Sequence, residues 1–542
     1  MTERVLTSLG WVVAFLCVAP MLAAGLAAFG GDLGTWQGLM DTVLPRYALN
    51  TLTLVILVAF GTAAIGTGAA WFVTMYSFPL RRVLEVLLAL PLAFPAYVLA
   101  YAYSDLLDHP GPVQTLLREV TGWGPRDYWF PEIRSLPGAA LMLVIVLYPY
   151  VYLLARAAFR QQSASAYLAA RTLGQGPWRA FFRVCLPMAR PAIAGGVLLT
   201  VMETIADYGT VAHFSVHTFS TGIYQAWFSM ADRAAAAQLA LCLLTFALLI
   251  ALLERVQRGR ARVAMKGGQL AAIAPTPVSG AAGWLMTLAC AVPVLLGFVI
   301  PVLVLVLGAM ALGSEQSLLS PRYVRFMSNS LTLASVAAVV TVLGAILIGF
   351  RARLMPGRTS RTLVIAAGLG YAVPGGVIAV GLLVPFASLD NAIDAWSREV
   401  FGVSTGLLIT GSIWLMVIAY MGRFMAAALS AYDAGMAGVQ PTMDAVARTL
   451  GRSTPRILWG VHLPIVRGSV LTALLIVFVD VMKELPATLI LRPFNYDTLA
   501  VQAHRLASDE RLDQAAVPSL VIVAFGLLPV IILCRRLSRA GG

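Results

Sequence analysis

The chain has 542 residues, 59% hydrophobic and 12% charged, with a formal net charge of +13 and a mean hydropathy of +0.84. That balance excludes a water-soluble globular protein and points to a polytopic membrane protein. The positive charge reads as a topology signal and an attraction to anionic lipid head groups, not as nucleic-acid binding.

A helix needs about 20 apolar residues to cross a hydrocarbon core about 30 Å thick. Windows of that length predict twelve spans, at 8–30, 49–77, 83–104, 137–159, 191–213, 234–254, 281–310, 329–350, 362–388, 405–428, 468–490 and 515–534. Barrel strands would be about 10 residues long with alternating polarity, so the fold class is all-α. The first window is taken as a span and not a cleaved leader, since its removal would leave an odd count and upset the charge asymmetry.

Lys and Arg in short loops are retained on the cytoplasmic side. With the N-terminus inside, most of the 38 Lys and Arg fall inside, as does Arg535-Arg536, while 16 of the 25 acidic residues fall in outside loops. Both termini are therefore expected in the cytoplasm. The outside segments 105–136 and 491–513 are long and rich in charge, and suit the reception of a soluble substrate-binding protein. Cys17, Cys185, Cys242, Cys290 and Cys534 form no CxxC pair, which indicates neither a disulfide framework nor a thiolate metal site.

The chain repeats itself. Residues 168–187 read LAARTLGQGPWRAFFRVCLP and residues 445–464 read AVARTLGRSTPRILWGVHLP, with nine of twenty positions identical at an offset of 277. Asn50-Thr51-Leu52-Thr53 recurs as Asn329-Ser330-Leu331-Thr332, and Pro95 as Pro374, at an offset of 279. Polar residues matching in register argue for two six-span halves, 1–255 and 281–542, joined by an inside linker at 256–280 rich in Gly, Ala, Pro and basic residues. An even span count per half gives both copies one topology around a pseudo-two-fold axis. Pro91, Pro95 and Pro374 are expected to kink the third span and its copy.

Each repeated polar segment predicts a short surface helix broken by Gly174 or Gly451, then a second amphipathic turn. Such a helix, presenting Arg171 and Arg179, suits docking in a groove of another protein; the plainer reading is a connector lying on lipid phosphates. A glycine followed twelve residues later by Leu-Pro resembles the cytoplasmic EAA loop of ABC-transporter permeases. The resemblance implies two tandem six-helix type I importer permease halves. It places ATPase docking on Ala169, Ala170, Arg171, Gly174, Arg179, Leu186 and Pro187, and on Ala447, Arg448, Gly451, Arg456, Leu463 and Pro464. The acidic residue that names the motif is absent: Leu168 and Ala445 stand there, with Asp444 one position earlier.

The chain has no ATPase motif of its own. A P-loop needs GxxxxGK[ST], and the two lysines, Lys266 and Lys483, are followed by Gly267 and Glu484. ATP and Mg²⁺ would belong to two partner ABC ATPase subunits, and no cofactor is expected on this chain.

Four carboxylates fall well inside predicted spans, away from the first and last few residues. Glu203 and Asp207 are four apart, as are Asp480 and Glu484, again at the offset of 277. Helical spacing would put each pair on one face. Ionisable groups at bilayer depth cost roughly 2.5 to 3.5 kcal/mol each, so they are expected to face the interior. Oxygen ligands suit a hard cation, which makes the four a candidate substrate path with Glu203 and Asp480 as transient contacts. The structural alternative is that Lys483 and backbone amides pair with them; a hybrid has Lys483 neutralising Glu484. Tyr97, Tyr101, Tyr103, Tyr208 and His213 offer further ligands along a path, although interfacial aromatics more commonly form an anchoring belt.

The stretches 203–240 and 480–512 that follow the two loops look like those of fused permease subunits of bacterial ferric-iron ABC importers, in a layout covering almost the whole chain. This resemblance implies a multi-pass protein of the bacterial inner membrane, a periplasmic ferric-binding protein, two ATPase subunits and inward movement of Fe³⁺. A thiamine or polyamine permease of similar layout, and a twelve-span secondary transporter driven by an ion gradient, stand as alternatives.

Overall fold

In the computed structural model the described residues are 3–29, 33–161, 164–261, 275–312, 320–436 and 438–539. Residues 262–274 of the expected linker, and the side chains of Cys534, Arg535 and Arg536, lie outside that description. The described chain is almost entirely helical, apart from a parallel ladder of Tyr76–Ser77 on Thr276–Pro277.

In chain order the helices are α1 (Glu3–Phe29), α2 (Leu33–Thr42), α3 (Leu44–Met75), α4 (Arg81–Leu87), α5 (Ala96–Leu107), α6 (Pro112–Thr121), α7 (Leu136–Gln161), α8 (Ala164–Thr172) and α9 (Pro177–Ala180). There follow α10 (Leu186–Ala206), α11 (Gly209–His213), α12 (Phe219–Tyr224), α13 (Arg233–Ala261), α14 (Gly280–Val294), α15 (Ile300–Ala311), α16 (Pro321–Leu354) and α17 (Arg358–Gly368). The chain closes with α18 (Gly375–Phe401), α19 (Trp414–Met436), α20 (Pro441–Thr449), α21 (Thr454–Ile457), α22 (Leu463–Met482), α23 (Pro486–Leu491), α24 (Leu499–Ser508) and α25 (Leu512–Arg539).

Among the described residues eleven helices are long and apolar enough to cross a membrane, or twelve if one bent helix pair is counted as a single span. The broken pair, Arg81–Ala93 with Ala96–Thr121, bends by 94°. Its cause is Pro95, which has no N–H for the ladder and sits extended at ψ 138° just before α5. Pro374 repeats this at ψ 143° before α18.

The chain divides into two compact units. One comprises 1–43, 222–245 and 316–502, the other 44–221, 246–315 and 503–542. In the first, α16, α19 and α22 pack together, and α1 lies against α17, α18 and α19. In the second, α3, α7 and α10 form the matching trio, and α15 lies against α5 and α25. The first unit therefore takes α1, α2, the end of α12 and the start of α13 from the first half of the sequence, and the second takes α14, α15, the end of α24 and α25 from the second half. Where α1 meets α18 the backbones nearly touch: a Cβ on Gly381 would lie 1.9 Å from the Pro20 carbonyl oxygen, so only glycine fits.

The repeated Asn-Thr/Ser pair has one job in both units. Asn50 Nδ2 donates to the His217 carbonyl at 2.8 Å, and Asn329 Nδ2 to that of Asp497 at 3.0 Å. Beside them Thr51 Oγ1 accepts from Phe219 N, and Ser330 Oγ from Leu499 N. These bonds tie the start of a long helix to the segment that follows a broken one.

Candidate functional site: paired surface segments and broken helices

The two polar segments fold alike. Helix α8 ends in a turn where Gly174 (φ 79°) donates to Arg171 O and Gln175 N donates to Ala170 O; α20 ends where Gly451 (φ 72°) donates to Arg448 O and Arg452 N to Ala447 O. This is the closure that favours glycine after a helix, since a left-handed residue there lets the next N–H groups reach back to free carbonyls. After α9 and α21 comes one π turn each, Phe181–Cys185 and Leu458–His462. These run without a break into α10 and α22, so continuous helix extends over Pro177–Ala206 and Thr454–Met482.

Of the residues expected to dock, Ala169, Arg171, Gly174, Arg179, Arg448, Gly451, Arg456 and Pro464 are exposed. Leu186, Pro187 and Leu463 are half-buried, while Ala170 and Ala447 are buried and anchor their helices. Leu173, Trp178, Leu450 and Trp459 add exposed apolar surface that the motif does not name.

Asp444 does not face outward as a substitute for the missing glutamate. It accepts from Arg353 Nε at 2.9 Å and from His462 Nε2 at 2.5 Å, while Arg353 Nη2 donates to Val439 O at 2.6 Å. Burial pushes its carboxyl up, but the hydrogen bonds from His462 and Arg353 prevail and hold it below the ordinary aspartate value.

The carboxylates in the spans are not arranged as helical spacing suggests. Helix α10 stops at Ala206 and α22 at Met482, so Asp207 and Glu484 lie beyond the helix ends instead of on one face with Glu203 and Asp480. The reason is capture of the next helix. Asp207 accepts from Thr210 N and Val211 N at 3.1 Å each and from Thr210 Oγ1 at 2.9 Å. Glu484 accepts from Ala487 N at 2.9 Å, Thr488 N at 3.1 Å and Thr488 Oγ1 at 2.8 Å. Its charge is met by Arg423, at 3.2 Å, and Lys483 instead pairs with Asp480 at 2.9 Å. Glu203 and Asp480 are half-buried. Among the described residues no group of three His, Cys, Asp or Glu side chains is placed to hold a metal ion.

The tyrosines do not form an anchoring belt: Tyr97, Tyr101 and Tyr103 are buried. Tyr101 OH bonds His504 Nδ1 at 2.8 Å, His213 Nε2 bonds Ser104 Oγ at 2.9 Å, and the Tyr101 and His213 rings meet edge to face at 4.8 Å. Tyr208 meets the His504 ring at 5.6 Å. Sequence reading missed His504 and Arg423, which sit in different stretches from their partners; Arg423, a charge inside a predicted span, was the available signal for one of them.

Residues 63–263, which hold Pro95, the first polar segment, Glu203 and Asp207, match the family described as binding-protein-dependent transport system inner membrane component. The chain is 24% identical over 486 residues to the Fe(3+)-transport system permease protein of Haemophilus influenzae, covering 89% of this chain and 88% of that protein. It is 22% identical over 511 residues to the ferric transport system permease protein of Actinobacillus pleuropneumoniae, covering 90% and 69%. A sulfate transport system permease protein of Escherichia coli K12 is 29% identical over 202 residues, covering 37% of this chain and 67% of that protein. The helical architecture is that of a multi-pass membrane protein, and these matches make the chain similar to inner-membrane permeases of the binding-protein-dependent transport class.

Proposed function

We propose that the chain is the translocation subunit of an ATP-driven importer that moves ferric iron from a periplasmic binding protein to the cytoplasm. The observation that carries this reading is coverage: relatives named for ferric transport run along both halves, whereas the sulfate relative matches about a third of the chain. Two ABC ATPase subunits dock on 168–187 and 445–464, one on each copy, with both termini on the same cytoplasmic side. ATP and Mg²⁺ act on those subunits. Glu203 and Asp480 serve as transient oxygen contacts for the cation, while Asp207 and Glu484 hold the broken helices in shape.

The continuous helices give the mechanical route. At about 1.5 Å per residue, α10 carries motion of its docking segment roughly 30 Å to the break at Asp207. Helix α22 does the same toward Glu484. A rigid lever ending at a capped break turns displacement at the cytoplasmic face into opening or closing at the level of the carboxylates.

The test is the cargo of the partner. The soluble binding protein that stimulates ATP hydrolysis by the reconstituted complex is purified and its metal content measured. Iron in it supports the reading; stimulation by a thiamine-, polyamine- or sulfate-loaded protein without iron overturns it.

A further inference from the structure

The two surface segments share a backbone path, but different chemistry holds each one to its own unit. At the register of Asp444, 277 residues earlier, stands Tyr167, and at that of His462 stands Cys185. In the first copy Trp71 packs on Tyr167, Phe159 and Phe181 with ring centroids 6.2, 5.6 and 4.5 Å away. Ala170, Ala180 and Cys185 close the same apolar cluster. In the second copy Phe350 meets the His462 ring at 5.3 Å, and Asp444 joins two polar partners that have no counterpart in the first cluster, His462 and Arg353. His462 is fully buried, and its Nδ1 has no hydrogen-bond partner among the described residues, which leaves Nε2–H to Asp444 as the polar bond of that ring.

We propose that Asp444 is the positioning residue of the second docking segment, holding α20 to α16 through Arg353 and to the head of α22 through His462. Among the described residues, the first segment is held by apolar packing around Trp71. Dispersion contacts are many and individually weak, so the first copy loosens gradually when one is removed. Charge-assisted bonds are few and strong, so the second copy has a single point of release. The two docking points are therefore unequal, and removing one charge frees one segment alone. This goes beyond the importer reading and rests on it only where the segments are called docking points.

Hydrogen exchange of the full chain in lipid nanodiscs tests it without substrate or ATPase. Asp444→Asn is expected to speed exchange of 441–452 by about tenfold and leave 164–175 unchanged, because a charge-assisted bond is lost from a helix with few other ties. Tyr167→Ala is expected to do the reverse, by a smaller factor. Arg353→Gln serves where Asp444→Asn fails to fold, and Asp444→Glu is expected to restore protection at least in part. In the complex with its ATPase subunits, Asp444→Asn is expected to retain hydrolysis with transport per ATP reduced several-fold. Unchanged exchange at 441–452 in both charge variants, or equal loosening of the two segments, overturns the proposal, and neither result bears on which substrate is carried.

Discussion

Asp207 and Glu484, 277 residues apart in sequence, do the same thing in their respective units: each accepts two backbone N–H groups and a threonine hydroxyl at the start of the helix after a break. A carboxylate there satisfies donors that no preceding turn can reach, and places its charge at the positive end of the helix.

The two caps are predicted to differ in cost. Asp207→Ala removes a cap and should destabilise by about 1 to 2 kcal/mol. Glu484→Ala also strands Arg423, whose side chain is 14% exposed, and should cost about 3 to 5 kcal/mol. Thermal unfolding of the two variants in nanodiscs checks the order. Equal costs would mean that the Arg423 pair adds nothing.

Glu203 and Asp480 should separate transport from assembly. Neutralising both, as Glu203→Gln with Asp480→Asn, is predicted to abolish uptake while the complex still forms on gel filtration. Loss of the complex would assign them a structural role, with Asp480 acting through Lys483.

Outside the spans, Arg134 bridges Asp108 at 2.7 Å and Glu510 at 2.6 Å. The hydrogen bond from Arg134 holds the Glu510 carboxyl below its ordinary value of 4.5. A carboxyl with a lowered folded pKa contributes stability fully above that ordinary value and loses it as pH falls through the folded one. The Glu510 side chain is 61% exposed, so the contribution should be small, about 1 kcal/mol or less. The difference in melting temperature between wild type and Glu510→Gln should be present at pH 7 and vanish well below pH 4.5. A difference that grows in acid would contradict it.

Gly381→Ala should disrupt the seat of α1 on α18, because its Cβ would overlap the Pro20 carbonyl, and overpacking of this kind costs about 1 to 3 kcal/mol or more. Gly368→Ala, whose nearest neighbour is Ala426 Cβ at 4.0 Å, should be tolerated. Comparing expression and melting of the two separates a backbone approach from a general intolerance of alanine.

Much of the architecture was legible because its signals are local. Run length predicts the crossings, the offset repeat predicts matching segments, and Pro95 predicts the bend before α5, with Pro374 extended in the same way before α18. What periodicity could not reveal was where α10 and α22 stop, since hydropathy continues past Ala206 and Met482 while the backbone turns. The decisive interactions are tertiary: Arg423 reaches Glu484 from 61 residues away, and Arg353 reaches Asp444 from 91. Asp444 looked like a displaced motif acid because sequence shows neighbours along the chain, not the buried imidazole of His462 beside it.

The most direct measurement is radioactive iron uptake by proteoliposomes holding this chain, its ATPase subunits and an iron-loaded binding protein. The account predicts accumulation of iron that requires ATP hydrolysis and is unaffected by collapsing ion gradients. Uptake that persists without ATPase subunits and stops when the gradients collapse would contradict it.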